Sequence, residues 1–223
     1  FYWLDELFPR IETSFNIVHE DYSGLISYQN NRDYEGQTWV GKLYNQLLRK
    51  KVLLIEYKDF NSPDSYSRKI HPYHLKQYNN RWFLFGLEEI KNTTRITNLA
   101  LDRIIEIKEK AENIKPNTIE WADYFDDIIG VTKYTYKEPQ VIKLRFTKNR
   151  IKYILTKPIH GASQKKDKTD LEQRTITIKV IENNELYQTL LSFGNDVEVI
   201  EPSNIKARMK KITDEMSKLY NYF

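Results

Sequence analysis

Four arginines, Arg68, Arg81, Arg95 and Arg103, recur through a segment that also carries Tyr57, Tyr73 and Trp82. A guanidinium is a planar, permanently charged fork of donors that matches the edge of a phosphate or carboxylate. Tyr and Trp rings offer faces on which a base can stack. Together these residue types point to recognition of an anion with an aromatic part, a nucleotide or single-stranded nucleic acid. The competing reading leaves the arginines on a solvated exterior and puts Tyr73 and Trp82 in a core.

Hydrolysis and group transfer find less support. The chain has no Cys, which excludes disulfides, thiolate metal sites and Cys nucleophiles. It has no Gly-rich phosphate loop, G-x-S-x-G or H-E-x-x-H. Of the histidines, His71 and His74 stand three apart in an expected strand, where they point to opposite faces. They do not converge on one metal. The adjacent carboxylates Glu88-Glu89 and Asp126-Asp127 do not converge either. Asp102 beside Arg103 is a pair that nothing selects as catalytic. No catalytic residue, metal or cofactor is assigned, and a nucleic-acid-processing enzyme stands only as an alternative.

The excess of 35 Lys and Arg over 31 Asp and Glu is small, but its distribution is uneven. Residues 1–36 hold two basic and seven acidic side chains; residues 133–166 hold ten basic ones and only Glu138 in opposition. That block is either a solvated strand face beside a Lys-rich loop or a face for an anionic partner. No apolar run approaches the roughly 18 residues of a membrane span. With no leader at the start of the chain, a cytoplasmic protein is expected. The opening FYWLDELFPRI, without Met, reads as a chain whose beginning is not represented.

The arginines need a scaffold. Trp39, Leu43 and Leu47 repeat every four residues, with Val40, Tyr44 and Leu48 beside them, and predict a helix over 38–49. Strands are predicted over 52–60, 67–77, 81–87, 94–99 and 101–108, with a turn at Asn79-Asn80. Five short strands in so few residues cannot make two packed sheets, so a small, strongly bent barrel is expected to close the edges. In it the arginine-bearing strands are near neighbours. Residues 112–136 read as a connector with a short helix, WADYFDDIIG, stopped by Gly130.

Beyond it, VIKLRF, PIHGASQKK, RTITIKV and DVEVIEP read as strands, and NRIKYIL and NNELYQTLLSFG as helices. Ile205, Met209, Ile212, Met216 and Leu219 then step along one long amphipathic helix. This order suits one sheet covered by two helices, with a final arm that packs on its own domain or on a partner. The expected class is α+β. The expected divisions are a connecting segment 1–36, a barrel with its preceding helix 37–111, the connector 112–136, and a sandwich-like α+β unit 137–223.

Arg68, Ile70, His71, Pro72, Tyr73 and Leu75, followed by Trp82-Phe83-Leu84 and then Leu101-Asp102-Arg103-Ile104, resemble the WYL domain. That family is named for a Trp-Tyr-Leu run, and Phe83 here lacks only the hydroxyl. TKPIHGASQ, NELYQTLLSFGNDVEVIEP and the closing helix resemble the C-terminal extension called WCX, and DYFDDIIGV resembles the connector of many bacterial members. The likeness spans roughly residues 38–220.

It implies an SH3- or Sm-like barrel that senses a ligand, with nucleotides and single-stranded nucleic acid as leading candidates. The setting it implies is a dimeric bacterial transcriptional or phage-defence regulator. A winged helix-turn-helix domain preceding Phe1 would read operator DNA, and the extension would contribute to assembly or control. Ligand-contacting positions carry over to Tyr57, Arg68, His71, Tyr73, Arg81, Trp82, Arg95 and Arg103. Many members also place arginines just before the Leu-Asp-Arg-Ile element. This chain has Thr97-Asn98-Leu99-Ala100 there, with Arg95 the substitute from two residues away. A dimerisation module with no ligand of its own is the alternative.

Overall fold

A computed structural model of the chain describes residues 36–220. Apart from Gly36, the expected connecting segment 1–36 lies outside the described residues. The chain forms two compact units, one ending at Asn117 and the other beginning at Thr118.

The first unit opens with helix α1 (Thr38–Arg49), which stops where Lys50 takes a left-handed backbone and returns its N–H to the Leu47 carbonyl. Five strands follow: β1 (Lys51–Tyr57), β2 (Tyr66–Tyr78), β3 (Arg81–Ile90), β4 (Thr93–Ala100) and β5 (Ile104–Asn113). Asn79 and Asn80 both have positive φ (47° and 60°), the geometry a two-residue hairpin loop needs to match strand twist.

Strand alternation sends Leu53, Ile55 and Tyr57 of β1 to the same face as Ile70, Leu84 and Leu99. With Leu43, Leu101, Ile104 and Ile107 these side chains form the core, against which Trp39, Val40, Leu75 and Trp82 pack. Pro72 has no N–H to give the ladder, and β2 bulges between Pro72 and His74. Opposite Pro72 stands Gly86, where a Cβ would lie 2.4 Å from the His71 carbonyl oxygen. A side chain there is sterically barred.

The expected closed barrel does not form. The sheet is open, in the order β4-β3-β2-β1-β5, with β4 and β5 as its two edges. The chain leaves β4 through a 3-10 turn at Leu101–Arg103, residues whose pattern predicts the start of the last strand. That turn delivers β5 to β1, so the ladder that would close the sheet is never made. The apolar face is buried without closure because Leu43 of α1 and Leu101 of the turn complete the core. The edges are guarded by charge instead: Lys108 and Lys110 on β5 and Arg95 on β4 discourage further pairing.

The second unit contains α2 (Trp121–Asp126), β6 (Gln140–Phe146), α3 (Arg150–Thr156), β7 (Lys165–Lys166), β8 (Thr175–Val180), α4 (Asn184–Leu191), β9 (Val197–Glu201) and α5 (Ser203–Tyr220). The antiparallel sheet runs β7-β8-β6-β9, a β-α-β-β-α-β arrangement. It is one sheet with one layer of helices. Ile142, Leu144, Phe146, Ile176, Ile178, Val180 and Val199 line its inner face beneath Ile151, Ile154, Leu186, Leu190 and Ile205.

The strand expected through PIHGASQKK shrinks to Lys165–Lys166. Its first part is a turn in which the Gln164 side chain spans the Ile159 N–H and the Ile154 carbonyl (2.9 and 3.0 Å). Helix α4 is capped by Asn183, whose Oδ1 accepts from the Leu186 N–H at 2.8 Å. The stripe on α5 starts in the core with Ile205, half-emerges at Met209 and Ile212, and runs out exposed at Met216, Leu219 and Tyr220. No helix among the described residues is long and apolar enough to cross a membrane.

Candidate functional site

Arg68 lies on the core face of β2, opposite Ile55 and near the sheet's rim. Its Nε and Nη2 each donate to Glu88 at 2.6 Å, and Nη2 also reaches Thr97 Oγ1 at 2.8 Å. Both partners are almost fully buried. Burial by itself would raise the Glu88 carboxyl pKa. The Arg68 and Arg95 hydrogen bonds outweigh it and hold that carboxyl below its ordinary range. Arg68 is therefore a brace: its fork is committed to the protein.

Arg95, opposite Glu88 on β4, gives Nε to the same carboxylate at 2.8 Å, and its side chain is 61% exposed. Most of its charged group faces solvent.

Tyr57, opposite Tyr66 across β1 and β2, is buried beneath this rim. The Tyr57 hydroxyl accepts the Ala100 N–H at 3.2 Å, which leaves its own O–H to donate. Burial raises its pKa, while the nearby Arg103 and Arg68 charges and the Ala100 N–H pull it back. The Arg68 guanidinium lies 5.4 Å from the Tyr57 ring centroid.

Arg103 comes to the same corner from the 3-10 turn, its carbonyl tied to the Lys58 N–H at 3.1 Å. Its only ion pair among the described residues is a long one, Nη1 to Asp59 Oδ1 at 3.4 Å. Its Nε is buried without a hydrogen-bond partner among the described residues. Phe60, 71% exposed, lies under the guanidinium at 4.4 Å. Tyr66 donates its hydroxyl to Asp59 Oδ2 at 2.5 Å. Burial first, and then Asp59, push the Tyr66 hydroxyl up to about 12.

The other expected site residues lie elsewhere on the unit. His71 and Tyr73 meet the segment after β5. The Lys115 N–H donates to His71 Nδ1 at 3.0 Å, so the proton sits on Nε2 and faces Glu89 Oε1 at 3.0 Å. Tyr73 donates to the Lys115 carbonyl at 3.1 Å. Glu89 gathers Lys115, His71 and Lys69 and is held at about 2 by them. Trp82 packs against the core cluster. Arg81, at the start of β3, donates to the buried Asp102 at 2.8 Å, and Arg81 Nε and Asp102 Oδ1 have no hydrogen-bond partner among the described residues.

Tyr57, Arg68, Arg95 and Arg103 thus gather at one corner, while His71 with Tyr73, Trp82, and Arg81 occupy separate positions. Sequence reasoning missed Asp59, Phe60, Tyr66, Glu88 and Thr97. Glu88 was recoverable: neighbours on a strand face opposite ways, so one of Glu88-Glu89 had to share a face with Arg68. Asp59 and Phe60 sit in the β1–β2 connection and carry no such signal.

Among the described residues, no group of three or more His, Asp or Glu side chains is placed to hold a metal ion. In the second unit half of the ten basic residues of the block are ion-paired among the described residues: Lys133 with Asp127, Lys137 with Glu182, Lys143 with Asp167, Arg145 with Glu198 and Arg150 with Asp196.

Comparison with known proteins places family models on both units. The WYL domain matches residues 39–109 and the WCX domain residues 138–217. No curated protein matches the chain. Among solved structures, proteasome accessory factor B/C (PafBC) of Arthrobacter aurescens is similar at 17% identity and a TM-score of 0.34, over 76% of this chain and 25% of that one. A CRISPR Cas-related protein is similar at 14% identity and a TM-score of 0.48, over 80% of this chain and 50% of that one. The chain therefore spans half or less of the length of either structure. On the strength of the two domain matches, it belongs to the WYL-domain proteins that carry a C-terminal WCX domain.

Proposed function

We propose that this chain is the ligand-sensing and regulatory part of a bacterial transcriptional regulator of the cytoplasm. Its effector is a nucleotide or single-stranded nucleic acid, bound at the corner built by Tyr57, Tyr66, Arg95 and Arg103. The observation that carries the reading is Arg103, a guanidinium with one long ion pair and a buried Nε that lacks a partner among the described residues. An unsatisfied buried donor is costly, and a phosphate oxygen would satisfy it. Arg95 supplies a second charge, Tyr57 O–H a neutral donor, and exposed Phe60 and Tyr66 supply stacking faces. Arg68 and Glu88 fix the rim from which these groups project. Operator DNA is the further partner the family resemblance implies, read through a helix-turn-helix domain.

Ligand binding regulates by favouring one arrangement of the protein over another, which requires unequal affinity for the two. Assembly as a homodimer is a companion reading, favoured by the exposed Met216, Leu219 and Tyr220 on α5.

The test is fluorescence anisotropy of a labelled single-stranded oligodeoxythymidylate across a salt series. Phosphate contacts to single strands give a slope of about −0.7 per contact in log K against log salt. The Arg95→Ala/Arg103→Ala double variant should bind weakly and flatten that slope by about 1.4. A variant with wild-type affinity and slope refutes the site.

A further inference from the structure

We infer that the Asp59 carboxylate is a built-in competitor for Arg103, occupying the place of a ligand's oxyanion until a ligand displaces it. The inference rests on the ligand-sensing reading proposed above and concerns how that site is kept closed.

The two acidic partners of the corner are built differently. Glu88 is buried on the rigid β2–β3–β4 ladder and takes both prongs of Arg68 at 2.6 Å. Asp59 lies in the connection between β1 and β2, 40% exposed, and reaches a single prong of Arg103 at 3.4 Å. The connection is anchored at its base by Ser67 Oγ to Glu56 (2.8 Å) and is turned by the Ser62 N–H onto the Asp59 carbonyl (3.1 Å). Beyond these ties most of its side chains are exposed.

Asp59 therefore sits where an anion belongs without meeting the donor set fully, since Arg103 Nε stays without a hydrogen-bond partner among the described residues. A phosphate can engage a guanidinium through two parallel bonds, and Asp59 here engages it through one. Tyr66 holds the other carboxylate oxygen at 2.5 Å, which keeps Asp59 in place while the site is empty and leaves the Tyr66 hydroxyl available once Asp59 departs. Phe60, next in the chain, moves with Asp59 and covers the guanidinium face at 4.4 Å. Displacing the carboxylate thus also uncovers a stacking surface.

A closed state reduces apparent affinity by the fraction of molecules that are open. A partly exposed ion pair is weak, so the effect is a tuning: neutralising Asp59 should tighten binding about two- to fivefold. Asp59→Asn keeps the shape and an acceptor for Tyr66 while removing the charge. Asp64→Asn, on the same exposed connection, removes an equal charge that does not touch Arg103 and controls for general repulsion of a polyanion.

Labelled oligodeoxythymidylate binding is measured for the wild type, Asp59→Asn, Asp64→Asn and Arg103→Ala, with pyrophosphate as competitor. Tighter binding in Asp59→Asn alone, with binding lost in Arg103→Ala, is the expected pattern. Binding lost in Arg103→Ala but unchanged or weaker in Asp59→Asn, or tightened equally in Asp64→Asn, overturns the competitor role and leaves the ligand site standing. Binding insensitive to Arg103→Ala, or absent from wild type and Asp59→Asn alike, overturns both.

Discussion

Replacing Glu88 with Gln keeps its shape and removes its charge. Arg68, 8% exposed, is then a buried cation whose remaining partners, Thr97 and the Gln carbonyl, are both neutral. Breaking a buried pair from one side costs about 3–5 kcal/mol, because the surviving charge is stranded away from water. The lower end applies here, since the Gln carbonyl still accepts from one prong of the fork. Replacing Arg68 with Met should cost less. Glu88 keeps Arg95, which is 61% exposed, and a carboxyl can take up a proton where a guanidinium cannot lose one.

With an m-value of about 1.5 kcal/mol/M for a unit this size, about 3 kcal/mol shifts the urea midpoint by about 2 M. The readout must belong to the first unit alone, so the assay is hydrogen exchange of β2 and β3 peptides across a urea series. The pair also predicts a pH signature. Glu88 is held below its ordinary value of 4.5, so its contribution is present above that value and is lost as pH falls through the lower folded value. The Glu88→Gln variant lacks that acid-side loss. A Glu88→Gln shift no larger than that of Arg68→Met would refute the reasoning that Arg68 is held as a buried brace.

Asn183→Ala should destabilise the second unit by about 2 kcal/mol, combining a lost helix cap with carbonyls deprived of a donor. Asn183 is 2% exposed, caps Leu186 at 2.8 Å and donates to the Ile129 and Thr132 carbonyls at 2.9 Å; exchange of β6 and β8 peptides reports the loss, and an unchanged midpoint contradicts the packing. Tyr66, pushed up to about 12 by burial and by Asp59, should titrate late in NMR of ring-labelled tyrosine assigned with Tyr66→Phe. Above the ordinary value of 10 the folded state holds more protons than the unfolded chain, so stability falls as pH rises through that window. In Asp59→Asn the titration should move back toward 10; an unmoved midpoint would deny the contact.

Helix α1 was readable to the residue because the every-four repeat of Trp39, Leu43 and Leu47 is local. The Asn79-Asn80 turn was readable because both residues tolerate positive φ. Closure of the barrel was not readable: it depends on whether β4 meets β5, a non-local pairing decided by a 3-10 turn whose residues, Leu101–Arg103, also suit a strand. Arg81 illustrates register. Phe83 pairs with Ala100, so Arg81 falls beside Asp102, a match that cannot be made before the intervening turns are counted.

The arginines themselves teach a sharper rule. Composition marks Arg68, Arg81, Arg95 and Arg103 as equivalent, yet burial and carboxylates divide them. Glu88 satisfies both prongs of Arg68, Asp102 satisfies one of Arg81, and Arg95 shares a carboxylate already engaged. A buried charge must be compensated inside the protein, so the cation left for a ligand is the one whose compensation is incomplete. Arg81 and Arg103 are both orphaned at Nε among the described residues. Arg81, however, holds the buried Asp102 at 2.8 Å while Arg103 reaches only the half-exposed Asp59 at 3.4 Å, so by that criterion Arg103 is the less compensated of the two.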